Sequence, residues 1–286
     1  MKPAAFAYHA PRTVDEAVTL LATLAPEGGR ILAGGQSLIP MMAFRMAQPA
    51  HLIDIGRIAD LDKIHVVAGR LTIGAATRHA AFERPAAPGP LGALLARVCT
   101  HIAHGPIRAR GTFGGSLAHA DPASEWCLLA TTLDATITAR SQRGARLLDA
   151  ANFFQGALTT SLAEDELLTA IALNLLPDDT RVGFAEFSRR QGDFAMATAL
   201  ASYRLDAGHI AEPRLGIGGV ETIARRIPEA EDALRGAAPS PALFAAIADI
   251  VRGAVNPMED KQIPTAYRRD LAAAMTRRAL AQCAAP

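Results

Sequence analysis

The chain has 286 residues, half of them apolar and one-fifth charged, with a formal net charge of +1; that length suits one large domain or two modest ones. So even a charge balance removes the broad electrostatic case for a nucleic-acid or anionic-membrane partner. An aromatic content of 5% leaves little from which to build a base-stacking surface.

From the N-terminus, the chain shows no apolar signal core, and no uncharged apolar run reaches the ~18 residues of a membrane span. It therefore reads as a cytoplasmic protein. Thr13 and Glu16 form a capping box ahead of Ala17, Val18, Leu20, Leu21 and Leu24, which recur at helical spacing. Pro26, Gly28 and Gly29 stop that helix. Residues 30–33 read as a short buried strand that runs straight into Gly34 and Gly35, and a strand end is where ligands dock in open α/β sheets. Residues 51–55 read as a further strand. Residues 64–67 and 71–73 flank Ala68-Gly69-Arg70, a hairpin pattern. A short helix is expected over 78–83 and a stronger one over 91–103, ended by Gly105-Pro106. A second glycine loop follows, and then Ser124 caps a helix running to residue 133.

Beyond residue 175 the texture changes. Residues 184–187, 195–205 and 213–220 read as antiparallel strands, and 229–235, 241–252 and 267–282 as helices. Strands followed by helices imply a separate α+β domain, with Pro177-Asp178-Asp179 as the joint. Gly216-Ile217-Gly218-Gly219 reads as strand and turn.

The chemistry lies in two glycine stretches, Ala33-Gly34-Gly35-Gln36-Ser37 and Thr112-Phe113-Gly114-Gly115-Ser116. Glycine accepts positive φ and lets other groups approach the backbone, and successive N–H groups in a tight loop form an anion-binding concavity. Ser37, Thr112 and Ser116 add hydroxyls. Two such loops in one chain suggest jaws around a diphosphate, and hence a dinucleotide held by backbone. There is no G-x-G-x-x-G in the first strand–turn–helix unit and no G-x-x-x-x-G-K-[ST], so neither a nicotinamide-type Rossmann site nor a nucleotide hydrolase is supported. Cys99, Cys127 and Cys283 are far apart and form no CxxC pair, which speaks against zinc or an iron–sulfur cluster on this chain. His119 and Asp121 supply only two potential ligands, Ser124 reads as a cap, and no Ser/His/Asp elbow exists.

The string from His104 through Thr112-Phe113-Gly114-Gly115-Ser116 to Ala120-Asp121-Pro122 resembles the FAD-binding medium subunit of the molybdenum hydroxylases, the xanthine dehydrogenase and carbon monoxide dehydrogenase family. Ala33 to Ser37 matches that family's first pyrophosphate motif. Gly192-Asp193-Phe194-Ala195 after Arg189-Arg190 matches a third landmark, and Tyr267-Arg268-Arg269 with Arg277-Arg278-Ala279-Leu280 resembles its C-terminal ending. The resemblance implies an α+β fold: a vanillyl-alcohol-oxidase (PCMH)-type FAD-binding domain over residues 1–176, with lobes 1–57 and 58–176. A C-terminal domain like that of the carbon monoxide dehydrogenase flavoprotein would cover 177–286. It also implies FAD on this chain, with Ala33, Gly34, Gly35, Gln36, Ser37 and Leu38 as one pyrophosphate set and Thr112, Gly114, Gly115 and Ser116 as the other.

Further roles follow from the same resemblance. Glu125, nine positions after Ser116, would bond a ribose hydroxyl or else be an ordinary helix N-terminal carboxylate. Leu167 and Leu168 would pack or bond the flavin ring, or be strand core. Arg189 and Arg190 would bring positive charge to the flavin, or be solvated strand-end arginines. His104 would lie near the flavin pocket, or be an ordinary helix-end histidine. A large molybdopterin subunit and a small subunit with two [2Fe–2S] clusters would be the partners, in a dimer of heterotrimers. The assembled enzyme would be a dehydrogenase or hydroxylase in which this chain passes electrons to an external acceptor. Gln36 stands where His is common in carbon monoxide dehydrogenase relatives and Phe113 where Ile or Val is usual; the wording around His104 leans toward enzymes of aromatic N-heterocycles. A self-contained flavin oxidoreductase and a flavin-free scaffold subunit are the competing readings.

Overall fold

The computed structural model describes residues 2–259 and 263–285. The first lobe runs β1 (Ala7–His9), α1 (Val14–Leu24), β2 (Gly29–Leu32), α2 (Leu38–Ala43) and β3 (His51–Asp54), its three strands parallel in the order β1-β3-β2. The Thr13 hydroxyl accepts from the Glu16 N–H at 3.1 Å, as a cap should. The Glu16 carboxylate reaches back to the Arg12 N–H at 2.7 Å, one residue further than the capping box requires. Ala17, Val18 and Leu21 pack with Ile53, Ile55 and, from far along the chain, Leu167.

The second lobe begins with β4 (Ile64–Val67) and β5 (Arg70–Gly74), joined through Ala68 and Gly69 at φ +49° and +74°, the positive pair that a tight hairpin turn needs. Then come α3 (Gly89–Cys99), α4 (Gly105–Arg108), α5 (Phe113–His119), α6 (Glu125–Thr132), β6 (Thr136–Ser141), β7 (Gly144–Asp149), α7 (Ala150–Phe153), β8 (Phe154–Gly156), β9 (Thr159–Thr160) and β10 (Leu167–Asn174). Its main sheet is antiparallel, ordered β4-β5-β10-β6-β7. Behind it, Phe113 stacks on Trp126 at 4.7 Å and Phe82 meets the same indole edge-on at 5.3 Å. That cluster explains an aromatic residue inside the second glycine motif: Phe113 is fully buried, and the ring fills core while the glycines on its C-terminal side stay small.

Three details differ from the sequence reading. Residues 78–83 hold only a 3₁₀ turn at His79–Phe82. The helix expected over 91–103 stops at Cys99, and Gly105-Pro106, rather than ending it, opens α4, where proline's missing N–H costs nothing in the first turn. The second glycine stretch is not a loop. It is the first turn of α5, capped by Thr112, whose hydroxyl accepts from the Gly115 N–H at 3.0 Å.

The C-terminal part is β11 (Arg181–Phe187), β12 (Ala197–Asp206), β13 (His209–Gly218), β14 (Arg225–Arg226), α8 (Pro228–Leu234), α9 (Pro241–Ala254) and α10 (Thr265–Ala284), an antiparallel sheet in chain order covered by its helices. Glycines set how closely helices approach this sheet. A Cβ on Gly183 would lie 2.0 Å from the Ala279 carbonyl oxygen of α10. On Gly216 it would lie 1.9 Å from Thr132 Oγ1, so α6 of the second lobe rests on β13 at a glycine. Gly216→Ala is therefore expected to destabilise the protein by about 1–3 kcal/mol, the usual cost of overpacking, as a lower urea midpoint with unchanged slope. An unaltered midpoint would show that the contact is soft.

Candidate functional site

A cleft of about 680 Å³ opens where the first lobe, the second lobe and the turn after β11 meet, within the usual range of small-molecule pockets. Its floor is made by the two glycine motifs, which the fold sets against each other. Gly34 lies so close to the second lobe that a Cβ there would stand 2.3 Å from the Arg110 carbonyl oxygen and 2.6 Å from Gly111 Cα. A Cβ on Gly115 would meet Ala33 Cβ at 3.7 Å. The segment before α5 is itself zipped onto residues 75–79: His79 N–H donates to Gly111 O, Phe113 N–H to Thr77 O and Gly114 N–H to Ala75 O, at 3.0, 2.9 and 3.0 Å. Arg78 Nη1 donates to the Arg110 carbonyl and pins the same strand end.

The two motifs therefore do different work. In the second, the N–H groups of residues 113–116 all have acceptors, the last being Ser116 N–H to Thr112 O at 3.0 Å. Its glycines serve close packing, with Gly114 against Ala75, and what it offers the cleft is side-chain hydroxyl. In the first motif Gly35 sits at φ +73°, and among the described residues the N–H groups of Gly35, Gln36 and Ser37 have no acceptor. Gln36 Nε2 turns back to Gly34 O at 3.0 Å and stiffens that loop. An anion in this cleft would find its backbone donors on the first motif and hydroxyls on the second.

The structure brings most of the sequence candidates into one wall. Ala33 to Leu38, Thr112, Gly114, Gly115, Ser116, Glu125, Leu167 and Leu168 all line the cleft. Leu167 and Leu168 turn their side chains into the cores, at 2% and 4% exposure, so what they present to the cleft is main chain beside the register shift at residue 169. His104 stands behind the wall, with Gly192 laid against its imidazole. Arg189 and Arg190 are exposed on the turn that leads to Gly192 and are not part of the lining. Among the wall residues that sequence reading passed over are His79 and Phe194. Phe194 lay in a quoted motif, and its apolar ring beside Gly and Asp was the available signal. Nothing local marks His79.

His79 is buried, and its Nδ1 accepts the Trp126 indole N–H at 3.0 Å, which places the ring proton on Nε2. Burial, reinforced by Arg78 and Arg108, lowers its pKa from 6.5 to about 4. The neutral ring is the folded form, so its contribution is complete above pH 6.5 and is lost as pH falls toward about 4. The full displacement is worth roughly 3 kcal/mol. Wild-type protein should lose stability to urea across that window, and His79→Gln should flatten the profile; parallel profiles would rule the histidine out as the source. Glu125 is pushed the other way, up to about 8, by burial and then by Glu186. The buried thiols of Cys99, Cys127 and Cys283 are raised to about 11, 12 and 12 by burial and stay protonated.

Among the described residues no group of three or more His, Cys, Asp or Glu side chains could hold a metal ion, and no helix is long and apolar enough to cross a membrane. Residues 4–175 match the family model of the FAD binding domain in molybdopterin dehydrogenase, and residues 183–283 that of the CO dehydrogenase flavoprotein C-terminal domain. The chain is 35% identical over 285 residues to the nicotine 6-hydroxylase medium subunit of Paenarthrobacter nicotinovorans, covering 100% of this chain and 99% of that one. Among solved structures it resembles carbon monoxide dehydrogenase from Hydrogenophaga pseudoflava, with TM-score 0.95, 35% identity, and 99% and 98% of the two chains covered. Quinoline 2-oxidoreductase from Pseudomonas putida 86 gives TM-score 0.92 and 34% identity, with the same coverage.

Proposed function

The chain belongs to the family of FAD-binding medium subunits of molybdenum hydroxylases, and from that premise we propose that its cleft binds FAD with the diphosphate across the facing glycine motifs. The N–H groups of Gly35, Gln36 and Ser37 would donate to the phosphate oxygens, with the hydroxyls of Ser37, Thr112 and Ser116 beside them. Ala33 and Leu38 flank the first set, and Gly114 and Gly115 keep the second helix close. The observation that carries this reading is the approach at Gly34: a floor with no room for a Cβ, next to backbone donors that have no acceptor. The cradle fits the cofactor.

We further infer the following roles and partners. Glu125 bonds a ribose hydroxyl, and Leu167 and Leu168 lay main chain along the ring. Arg189 and Arg190 reach the cofactor from the turn that leads to Gly192, and His104 lies near the flavin pocket behind that glycine. The subunit takes electrons from the [2Fe–2S] clusters of a small partner and passes them to an external acceptor. A large molybdopterin subunit performs the hydroxylation, in a dimer of heterotrimers. FAD, when bound, supplies the exchange between one-electron and two-electron transfer; the chain binds, orients and shields it. The substrate is an aromatic N-heterocycle. Gln36 in place of histidine supports that choice over carbon monoxide, as do the names of the nicotine and quinoline relatives.

The test is co-purification from the native source, with flavin and metal analysis and identification of the bound subunits. One FAD per chain, together with molybdenum, iron and two further polypeptides, is expected. A chain that stays colourless after added FAD, alone and in its complex, would overturn the reading.

A further inference from the structure

His79 stands on the cleft wall with one hydrogen-bonding atom left over. Its other polar groups are all accounted for. Its backbone N–H donates to Gly111 O at 3.0 Å, and its carbonyl accepts from the Cys99 thiol at 3.2 Å. Nδ1 accepts the Trp126 indole N–H at 3.0 Å, so the ring proton sits on Nε2. Among the described residues that Nε2–H has no acceptor. The residue is only 5% exposed, and a donor left unpaired at such burial is costly. Its neighbours on the wall, Ile102 and Ile107, bring apolar side chains. A glycine sets where this donor lies. A Cβ on Gly111 would stand 2.6 Å from His79 Nε2 and 2.7 Å from Cδ2. The Nε2 edge of the ring therefore rests on the backbone just before Thr112, beside the Gly111 Cα that Gly34 packs against.

We propose that His79 is a further binding residue for the cofactor, its Nε2–H donating to an oxygen of the FAD diphosphate. The inference rests on FAD occupying the cleft with its diphosphate across the facing motifs. The ring edge lies next to Thr112 and Gly34, one from each motif, which is where that diphosphate would cross. With Nδ1 held by the indole, the ring offers the cleft one donor and no acceptor. Such an atom binds an acceptor oxygen and rejects a donor group. Its polarity does not switch at neutral pH, because burial, Arg78 and Arg108 keep the ring neutral there. A third kind of donor thus joins the free amides of the first motif and the hydroxyls of the second. Gly111 gains a reason of its own: any side chain there would cover the imidazole edge.

Two variants of the full-length chain separate this role from the packing of the ring. In His79→Asn the amide oxygen stands in for Nδ1, which keeps an acceptor for the indole and deletes the cleft donor. In His79→Gln the longer amide carries an N–H to the place of Nε2. Fluorescence titration with FAD should show about ten- to a hundredfold weaker binding in His79→Asn, the range of a hydrogen bond to a charged group, and recovery of most of that loss in His79→Gln. Urea denaturation of each apoprotein reports the packing separately, and the affinities should not follow it. The ³¹P resonances of bound FAD should differ between wild type and His79→Asn. If the Asn variant fails to fold, wild type decides: with ¹⁵N-labelled histidine, the Nε2–H proton should move downfield when FAD is added. Equal affinity in wild type and both variants would overturn the donor, as would affinities that track apoprotein stability or an Nε2–H resonance unmoved by bound FAD. A shifted flavin absorption band with unchanged ³¹P resonances would place the contact at the ring and overturn the diphosphate assignment. A wild-type chain that binds no FAD would instead overturn the functional reading, and this inference with it.

Discussion

Gly34→Ala is expected to strip FAD from a protein that otherwise stays folded. The added Cβ would sit 2.3 Å from the Arg110 carbonyl oxygen and 2.6 Å from Gly111 Cα. Both are backbone atoms, and the carbonyl is further held by the Arg78 guanidinium, so no side chain can swing away to make room. The strain is relieved only if the two lobes part at the floor of the cleft. Parting the lobes separates the free amides of Gly35, Gln36 and Ser37 from the hydroxyls of Thr112 and Ser116, and a diphosphate can no longer touch both sets. A loss of FAD affinity of at least a hundredfold is expected, about 3 kcal/mol, read as flavin absorbance per chain after dialysis and as Kd by fluorescence. The FAD-free protein should stay folded with a modestly lower melting temperature, because parting the lobes at this contact costs about the 1–3 kcal/mol of ordinary overpacking. Gly105→Ala is the control: it lies six residues before Gly111, on the segment Gly34 packs against, nothing stands within 4 Å of its Cβ, and its φ is ordinary. Equal FAD retention by both variants would move the diphosphate away from Gly34.

That prediction began as two glycine words in a sequence, and the structure shows what sequence reading of them could and could not see. The strand into Gly34, the hairpin at Ala68-Gly69 and the three long strands of the C-terminal sheet were legible, because each carries its own local signal: an apolar run into glycine, a turn that needs positive φ, alternation bounded by breakers. The helical form of the second motif was not. Paired glycines disfavour a helix by about 1 kcal/mol each, and local reading makes Gly114-Gly115 a loop. Bonds from Phe113 and Gly114 to Thr77 and Ala75, nearly forty residues upstream, override that preference.

Strands β1, β6 and β7 went unread, and of β10 only Leu167 and Leu168 were weighed as strand core, for a related reason. Strand β10 is a nearly continuous apolar run buried on both faces, which periodicity cannot separate from buried helix. The division of labour between the motifs was also hidden. Which amides are free depends on partners supplied by the turn after β5, and no spacing within the motif encodes that. His79 was missed for the same cause: its character comes from Trp126, distant in the chain.

Phe194 supplies the second large effect. It stands 76% exposed on the cleft wall, following Gly192 at φ +86°. A Cβ on Gly192 would press into the His104 imidazole at 2.6 Å, so the turn is seated on α4 at its glycine while the phenyl ring points into open space. A ring held there by a fixed backbone has no packing of its own to lose. Its free energy is gained when a planar ligand covers it, and aromatic side chains bury ~150–250 Å² in such contacts. At ~25 cal/mol per Å² even half that area is worth about 2–3 kcal/mol. Phe194→Ala is therefore expected to weaken FAD binding about thirty- to a hundredfold. Stability of the FAD-free protein should be unchanged, since the ring is exposed there. Phe194→Leu should recover part of the loss, keeping apolar area but not the flat stacking surface. The affinity series Phe, Leu, Ala by fluorescence titration, with urea denaturation of each apoprotein alongside, separates the two contributions. A flat series would mean that the flavin ring lies elsewhere in the cleft. Weakening accompanied by a matching loss of apoprotein stability would mean that the phenyl group props the turn rather than covering the cofactor.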